Sequence, residues 1–242
     1  MRVKVTFSAN EEIAYDSITK HTIQGFIYNL LRGTPYEAKH NTPGFKFFTF
    51  SDIFPSGPII RSHEPKNLII SSPDREFISV LYEQLKPLTE IKLGPYYFQV
   101  LDVKRFNLKL SKRFITGSPI VLYKENRRGI YFSFKREPNL QFFLWRLQDN
   151  ALKKYNAYYG VDYKLPGLIF DKIVFRKEVA LPVRTKTKSF IVIGSLWEAL
   201  EKVKYTKDEL SFYSFIMDCG LGEKNSLGFG FINPVRRERR EK

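Results

Sequence analysis

The sequence predicts an α+β fold built from two tandem βαββαβ units. Three observations carry that prediction. Apolar spacing in the first half switches between the period of 2 expected of strands and the longer period expected of helices, in the order strand, helix, strand, strand, helix, strand. The second half repeats that order in a looser form. A chain of 242 residues with 43% hydrophobic and 16% aromatic content can bury one large core or two small ones.

The elements follow in order. Residues 1–7 alternate as a strand, and this start lacks the apolar region of a signal peptide. Ile23, Phe26, Ile27, Leu30 and Leu31 then mark one face of a helix over 21–32. Phe45 to Phe50 and Asn67 to Ser72 read as strands. Pro73-Asp74 opens a helix with Phe77, Ile78, Leu81 and Leu85 at helical spacing, and Tyr96 to Leu101 is extended again. Beyond it, Pro119 to Tyr123 and Gly129 to Phe134 predict a hairpin around Glu125-Asn126-Arg127-Arg128. A long helix over 138–159 stops at Gly160. Extended segments near 168–175 and 189–196 precede a helix opened by the capping box Thr206-Lys207-Asp208-Glu209, and Phe229 to Ile232 is extended. This order suits two ferredoxin-like domains, 1–112 and 113–242, whose adjacent sheets leave a cleft.

Charge narrows the partner. Forty Lys and Arg against twenty-five Asp and Glu give a net +15, a bias toward a polyanion such as RNA. Lys172, Arg176, Lys177, Arg184, Lys186 and Lys188 cluster with only Glu178 among them, alternating with apolar residues as on a strand with a basic face. A second cluster, Arg236, Arg237, Arg239, Arg240 and Lys242, ends the chain. The one cysteine, Cys219, excludes an intrachain disulfide framework and a cysteine-rich zinc site. Three histidines lack short ligand spacing, and no acidic cluster suggests two-metal cleavage. No apolar run approaches the roughly 18 residues of a membrane span, so no membrane partner is expected and a soluble cytoplasmic protein is.

The densest motif is Gly220-Leu221-Gly222-Glu223-Lys224-Asn225-Ser226-Leu227-Gly228-Phe229-Gly230, with four glycines and one lysine in eleven residues. A dinucleotide fingerprint or P-loop runs strand, loop, helix; this loop follows a helix and opens a strand, and it lacks the Gly-Lys-Ser/Thr ending. Gly220, Gly222, Lys224, Asn225, Ser226, Gly228 and Gly230 are therefore read as a backbone platform for a polymer's phosphates.

That motif strongly resembles the C-terminal glycine-rich motif of the CRISPR-associated repeat-processing endoribonucleases of the RAMP superfamily. A second match lies in the first half: Gln24-Gly25-Phe26-Ile27-Tyr28-Asn29, His40, and Lys46-Phe47-Phe48-Thr49-Phe50-Ser51 look like the catalytic region of archaeal members. The resemblance implies two ferredoxin-like domains and metal-independent cleavage of precursor CRISPR RNA within its repeats. It also implies attack by the 2′-hydroxyl, giving 2′,3′-cyclic phosphate and 5′-hydroxyl ends, with Tyr28, His40 and Lys46 as the catalytic set. No cofactor is implied. The partners are repeat RNA and subunits of a CRISPR effector complex, and the protein is a monomer or homodimer. A non-catalytic RAMP subunit that only binds CRISPR RNA is the alternative.

The side-chain chemistry suits the reaction. Histidine, with an ordinary pKa near roughly 6.5, can protonate a leaving 5′ oxygen, lysine can face the phosphorane, and tyrosine can orient the 2′-hydroxyl or, with a nearby cation assisting, deprotonate it. Tyr28 falls off the apolar stripe of its helix, His40 lies in the turn-rich stretch 33–44, and Lys46 opens the expected next strand.

Overall fold

The computed structural model describes residues 1–184 and 189–235. In the first half, β1 (Arg2–Ala9), α1 (Lys20–Leu30), β2 (Thr49–Phe50), β3 (Lys66–Ser71), α2 (Arg75–Leu85), β4 (Glu90–Leu93) and β5 (Tyr96–Phe106) follow the expected order, with β4 as an addition. The antiparallel sheet runs β2-β3-β1-β5-β4. Alternation on β1 turns Val3, Val5 and Phe7 inward against Ile23, Phe26 and Ile27 of α1 and the expected stripe of α2. Thr19 caps α1 and Asp74 caps α2, each accepting an amide hydrogen three residues on.

The second half places β6 (Arg113–Thr116), α3 (Leu140–Tyr159), β7 (Lys172–Arg184), β8 (Ser189–Glu201), α4 (Glu209–Cys219) and β9 (Ile232–Pro234) in the sheet order β7-β8-β6-β9. Numbered within each βαββαβ unit, both sheets have the order 2-3-1-4, so the fold is two tandem ferredoxin-like units. Gly160 ends α3 in the left-handed region, and both bonds of the capping box form: Glu209 N donates to Thr206 Oγ1 at 3.3 Å and Thr206 N to Glu209 Oε2 at 2.7 Å.

Three details differ from the sequence reading. The first strand of the second sheet is Arg113–Thr116; the expected hairpin pairs Tyr123–Glu125 with Ile130–Tyr131 and is an insertion between that strand and α3. The expected strand 45–50 pairs only through Thr49 and Phe50. Phe47 has φ 55° and packs on Tyr158 and Phe215 of the second core, whereas Phe48 packs on Tyr28 and Phe77 of the first. The left-handed backbone at Phe47 takes the chain out of the extended region, so pairing begins only at Thr49. The basic face of β7 is also interrupted: Arg176 is the extra residue of a bulge, with Phe175 opposite Trp197 and Lys177 opposite Leu196.

Arg2 joins the two halves. Its fully buried guanidinium donates to Met217 O (2.9 Å), Ile232 O (2.7 Å) and Asn233 Oδ1 (2.6 Å), and lies 4.6 Å from the centroid of Phe231. Replacing Arg2 by methionine leaves these acceptors unpaired and is expected to cost about 3 kcal/mol. A lowered denaturant midpoint checks this; an unchanged midpoint would mean that the halves are held together without Arg2.

Candidate active site

The glycine-rich loop joins α4 to β9. All four of its glycines have positive φ, and all four are buried, whereas residues 223–227 are half-buried and form its crest. The burial gives Gly220, Gly222, Gly228 and Gly230 a structural part in the loop. They serve close packing within the protein. A Cβ on Gly230 would lie 1.8 Å from Leu221 O, and one on Gly228 would lie 2.2 Å from the Phe50 ring. At the crest, the amides of Lys224, Asn225 and Ser226 donate to no backbone carbonyl among the described residues.

The loop is held from both halves of the molecule. Lys154 on α3 donates to Gly220 O (2.7 Å), Gly222 O (3.0 Å) and Asn225 Oδ1 (2.7 Å). Asn225 Nδ2 donates to Leu221 O and Phe229 O, each at 3.0 Å, so this side chain is used inside the loop rather than toward a ligand. From the other side, Lys20 Nζ donates to Gly228 O at 2.8 Å and Gln24 Nε2 to Ser226 O at 3.0 Å. Lys20 also pairs with Asp52. Lys224 turns toward the inserted hairpin, its ammonium 5.4 to 5.8 Å from the ring centroids of Tyr123, Tyr131 and Phe190.

Lys20, Gln24 and Tyr28 recur every four residues, so α1 presents them on one face. Tyr28 follows its two neighbours to the loop, where its hydroxyl faces the Ser226 side chain. Its ring meets Phe48 edge to face at 5.8 Å. Burial pushes the Tyr28 phenol above its ordinary pKa, with the Ser226 side chain opposing. Lys46 lies in the irregular stretch ahead of β2 rather than opening a strand, and donates to Thr42 O. It lines a cavity of about 310 Å³ with Phe45, Phe47, Lys154, Lys224 and Ser226. Burial moves its ammonium below the usual lysine range, a shift that a bound phosphate would reverse.

His40 ends the 3-10 turn Glu37–His40, and the placement of its imidazole lies outside what the structure describes. Lys172, Arg176 and Lys177 are exposed on β7. Lys177 lines a second cleft of about 810 Å³ between the halves, walled by Tyr15, Lys20, Phe54, Leu181 and Phe231. Arg184 ends β7, with its side chain undescribed; Lys186, Lys188 and the basic tail Arg236 to Lys242 lie outside the described residues. Cys219 is buried at the end of α4. Among the described residues no helix is long and apolar enough to cross a membrane.

Sequence reasoning passed over Lys20, Gln24 and Lys154. The first two were visible in their spacing with Tyr28. Lys154 continues the buried series Leu147, Ala151 on α3, where a charge without a partner would be costly.

Fold and site together define a tandem ferredoxin-like protein with a glycine-rich loop clasped between its two units. The profile described as "CRISPR associated protein Cas6, C-terminal" matches residues 101–234. The chain is 51% identical over 242 residues to "CRISPR-associated endoribonuclease Cas6 2" of Methanocaldococcus jannaschii, covering 98% of this chain and 100% of that protein. It is 23% identical to "CRISPR-associated endoribonuclease Cas6" of Haloferax mediterranei, across 98% and 94% of the two. Among solved structures, a "CRISPR associated protein Cas6" superposes with a TM-score of 0.71 at 25% identity, covering 98% of this chain and 99% of that one. "An RAMP protein binding different RNA substrates" has the same TM-score, 0.71, at 21% identity and 98% and 100% coverage, a likeness of fold. The chain belongs to the Cas6 family of CRISPR-associated proteins.

Proposed function

We propose that the protein is an endoribonuclease that cuts precursor CRISPR RNA within its repeats, without a metal ion. The observation that carries this reading is the meeting of Tyr28 with Ser226 of the loop crest, beside the cavity that Lys46 shares with that crest. Phosphate-binding amides and side chains suited to transesterification thus occupy one place. The curated relative at 51% identity, named an endoribonuclease, supports the same reading.

In the proposed reaction the 2′-hydroxyl gives its proton to solvent water, and its oxygen forms a bond to the adjacent phosphorus as the bond to the 5′ oxygen breaks. The products are a 2′,3′-cyclic phosphate and a 5′-hydroxyl. His40 gives a proton to the departing oxygen, and Lys46 together with the crest amides faces the charge of the phosphorane. With its pKa raised, Tyr28 keeps its proton at and well above neutral pH, so it serves as a donor that orients the nucleophile or a phosphate oxygen rather than as the base. Lys172, Arg176 and Lys177 extend the contact along β7, with the inter-unit cleft as the RNA path. We divide the units between residues 112 and 113; the site draws on both.

The deciding experiment incubates the purified protein with CRISPR-repeat RNA in EDTA. Cleavage within the repeat, with cyclic phosphate at the 3′ end of the upstream product, supports the proposal; binding without cleavage overturns it in favour of an RNA-holding subunit. Substitution of His40 by alanine is expected to slow cleavage by about 100-fold or more with repeat RNA still bound. Tyr28→Phe should lower the maximal rate by about 100-fold. Since Tyr28 acts in its protonated form and its pKa is raised, its loss should lower the rate evenly across neutral pH; disappearance of a limb that rises with pH would instead make Tyr28 the base.

A further inference from the structure

Lys154 is 2% exposed and lies on the buried face of α3, between Ala151 and Tyr155. An ammonium in such a place costs several kcal/mol unless its protons are all engaged. Here they are: three donors meet three neutral oxygens, Gly220 O, Gly222 O and Asn225 Oδ1, at 2.7 to 3.0 Å. The titratable groups that face it are Cys219, whose thiol burial pushes up toward the neutral form, and Glu223.

These bonds reach different parts of the loop. Gly220 and Gly222 belong to its incoming leg, and Asn225 to its crest. Asn225 in turn ties the incoming leg at Leu221 to the outgoing leg at Phe229. The next residue, Ser226, meets Gln24 and Tyr28. One cation thus sets the spacing between the legs and the height of the crest against α1. It also lines the cavity that holds Lys46, from beneath.

We propose that Lys154 is a positioning residue for RNA cleavage, fixing the crest at the register where Ser226 meets Tyr28 and adding positive potential below the phosphate-binding amides. This rests on the endoribonuclease reading. A lysine that merely stabilised the fold would change the unfolding midpoint and leave the folded enzyme's rate alone.

The test measures single-turnover cleavage of repeat RNA, affinity for uncleavable 2′-deoxy repeat RNA, and the unfolding midpoint, for wild type and Lys154→Met. Methionine keeps the length and removes the charge and donors. Well below its midpoint the variant is expected to cut about 100-fold more slowly, with affinity changed by less than about 10-fold. Ser226→Ala should then add little to Lys154→Met, because both act through the same contact. A folded variant cutting within about 3-fold of wild type overturns the proposal, as do multiplicative effects of the two substitutions. Where Lys154→Met does not fold, Lys154→Gln, which retains amide donors without the charge, is read by the same criteria; if neither folds, the lysine serves the fold and the proposal fails. Wild type that binds but does not cut removes the endoribonuclease reading itself, whereas active wild type with equally active variants removes only the role of Lys154.

Discussion

Repeat RNA carrying a deoxyribose at the scissile nucleotide binds the protein and stays intact. The expected result follows from the source of the nucleophile: the proposed site supplies amides, a phenol, an imidazole and ammonium groups, and takes its attacking oxygen from the RNA. Removing that oxygen removes the bond-forming partner and leaves the phosphates on which binding relies. Cleavage should fall to background and affinity should stay within about 3-fold, since one 2′-hydroxyl is a small part of a polyanion's contacts. Filter binding and gel analysis of the same samples read both quantities. Cutting of the deoxy RNA at the normal position would mean that water attacks, and the roles given to Tyr28 and His40 would have to be abandoned.

Gly230→Ala is expected to disable the site through the loop's own backbone. A Cβ at 1.8 Å from Leu221 O cannot be accommodated, and the same residue pair carries the 2.9 Å bond from Leu221 N to Gly230 O that closes the loop's neck. Its φ of 68° adds strain for any side chain. The neck must open, at a cost of about 3 kcal/mol or more, and the crest then leaves Tyr28. Cleavage should drop by about 100-fold or more, accompanied by a lowered unfolding midpoint. Gly25→Ala is the control: it lies on α1 beside Gln24, an added Cβ there meets nothing within 4 Å, and the helix should gain about 0.5 to 1 kcal/mol. Equal activity of the two variants would show that the neck does not govern the crest.

The helices were legible because their signals are local: the stripes of α1 and α2, the left-handed Gly160 after α3 and the Thr206–Glu209 box each need only neighbouring residues. The strand Arg113–Thr116 was not, since Phe114 is the one buried residue in it and offers no alternation to read. Phe47 and Phe48 look like part of a strand until the second core claims one of the rings. The glycine-rich loop stood out by composition, but the reason for its glycines depends on Phe50 and Leu221 as packing partners, and composition cannot distinguish a close ligand from a close side chain. Tyr28 and Lys46 were singled out through their motif; that they lie at the loop is a long-range fact which no local period contains.

The clasp around the loop also sets an order in time. The α1 face that carries Lys20, Gln24 and Tyr28 leaves the ribosome early, whereas Ser226 and Gly228 are added close to two hundred residues afterward. At synthesis rates of about 5–20 residues per second, that interval lasts roughly 10 to 40 s. During it the growing chain already displays the phenol and basic side chains proposed for cleavage, yet has no crest to bring a phosphate to them. On the proposed reading, the site is complete only once the loop ahead of the last strand has docked on α1.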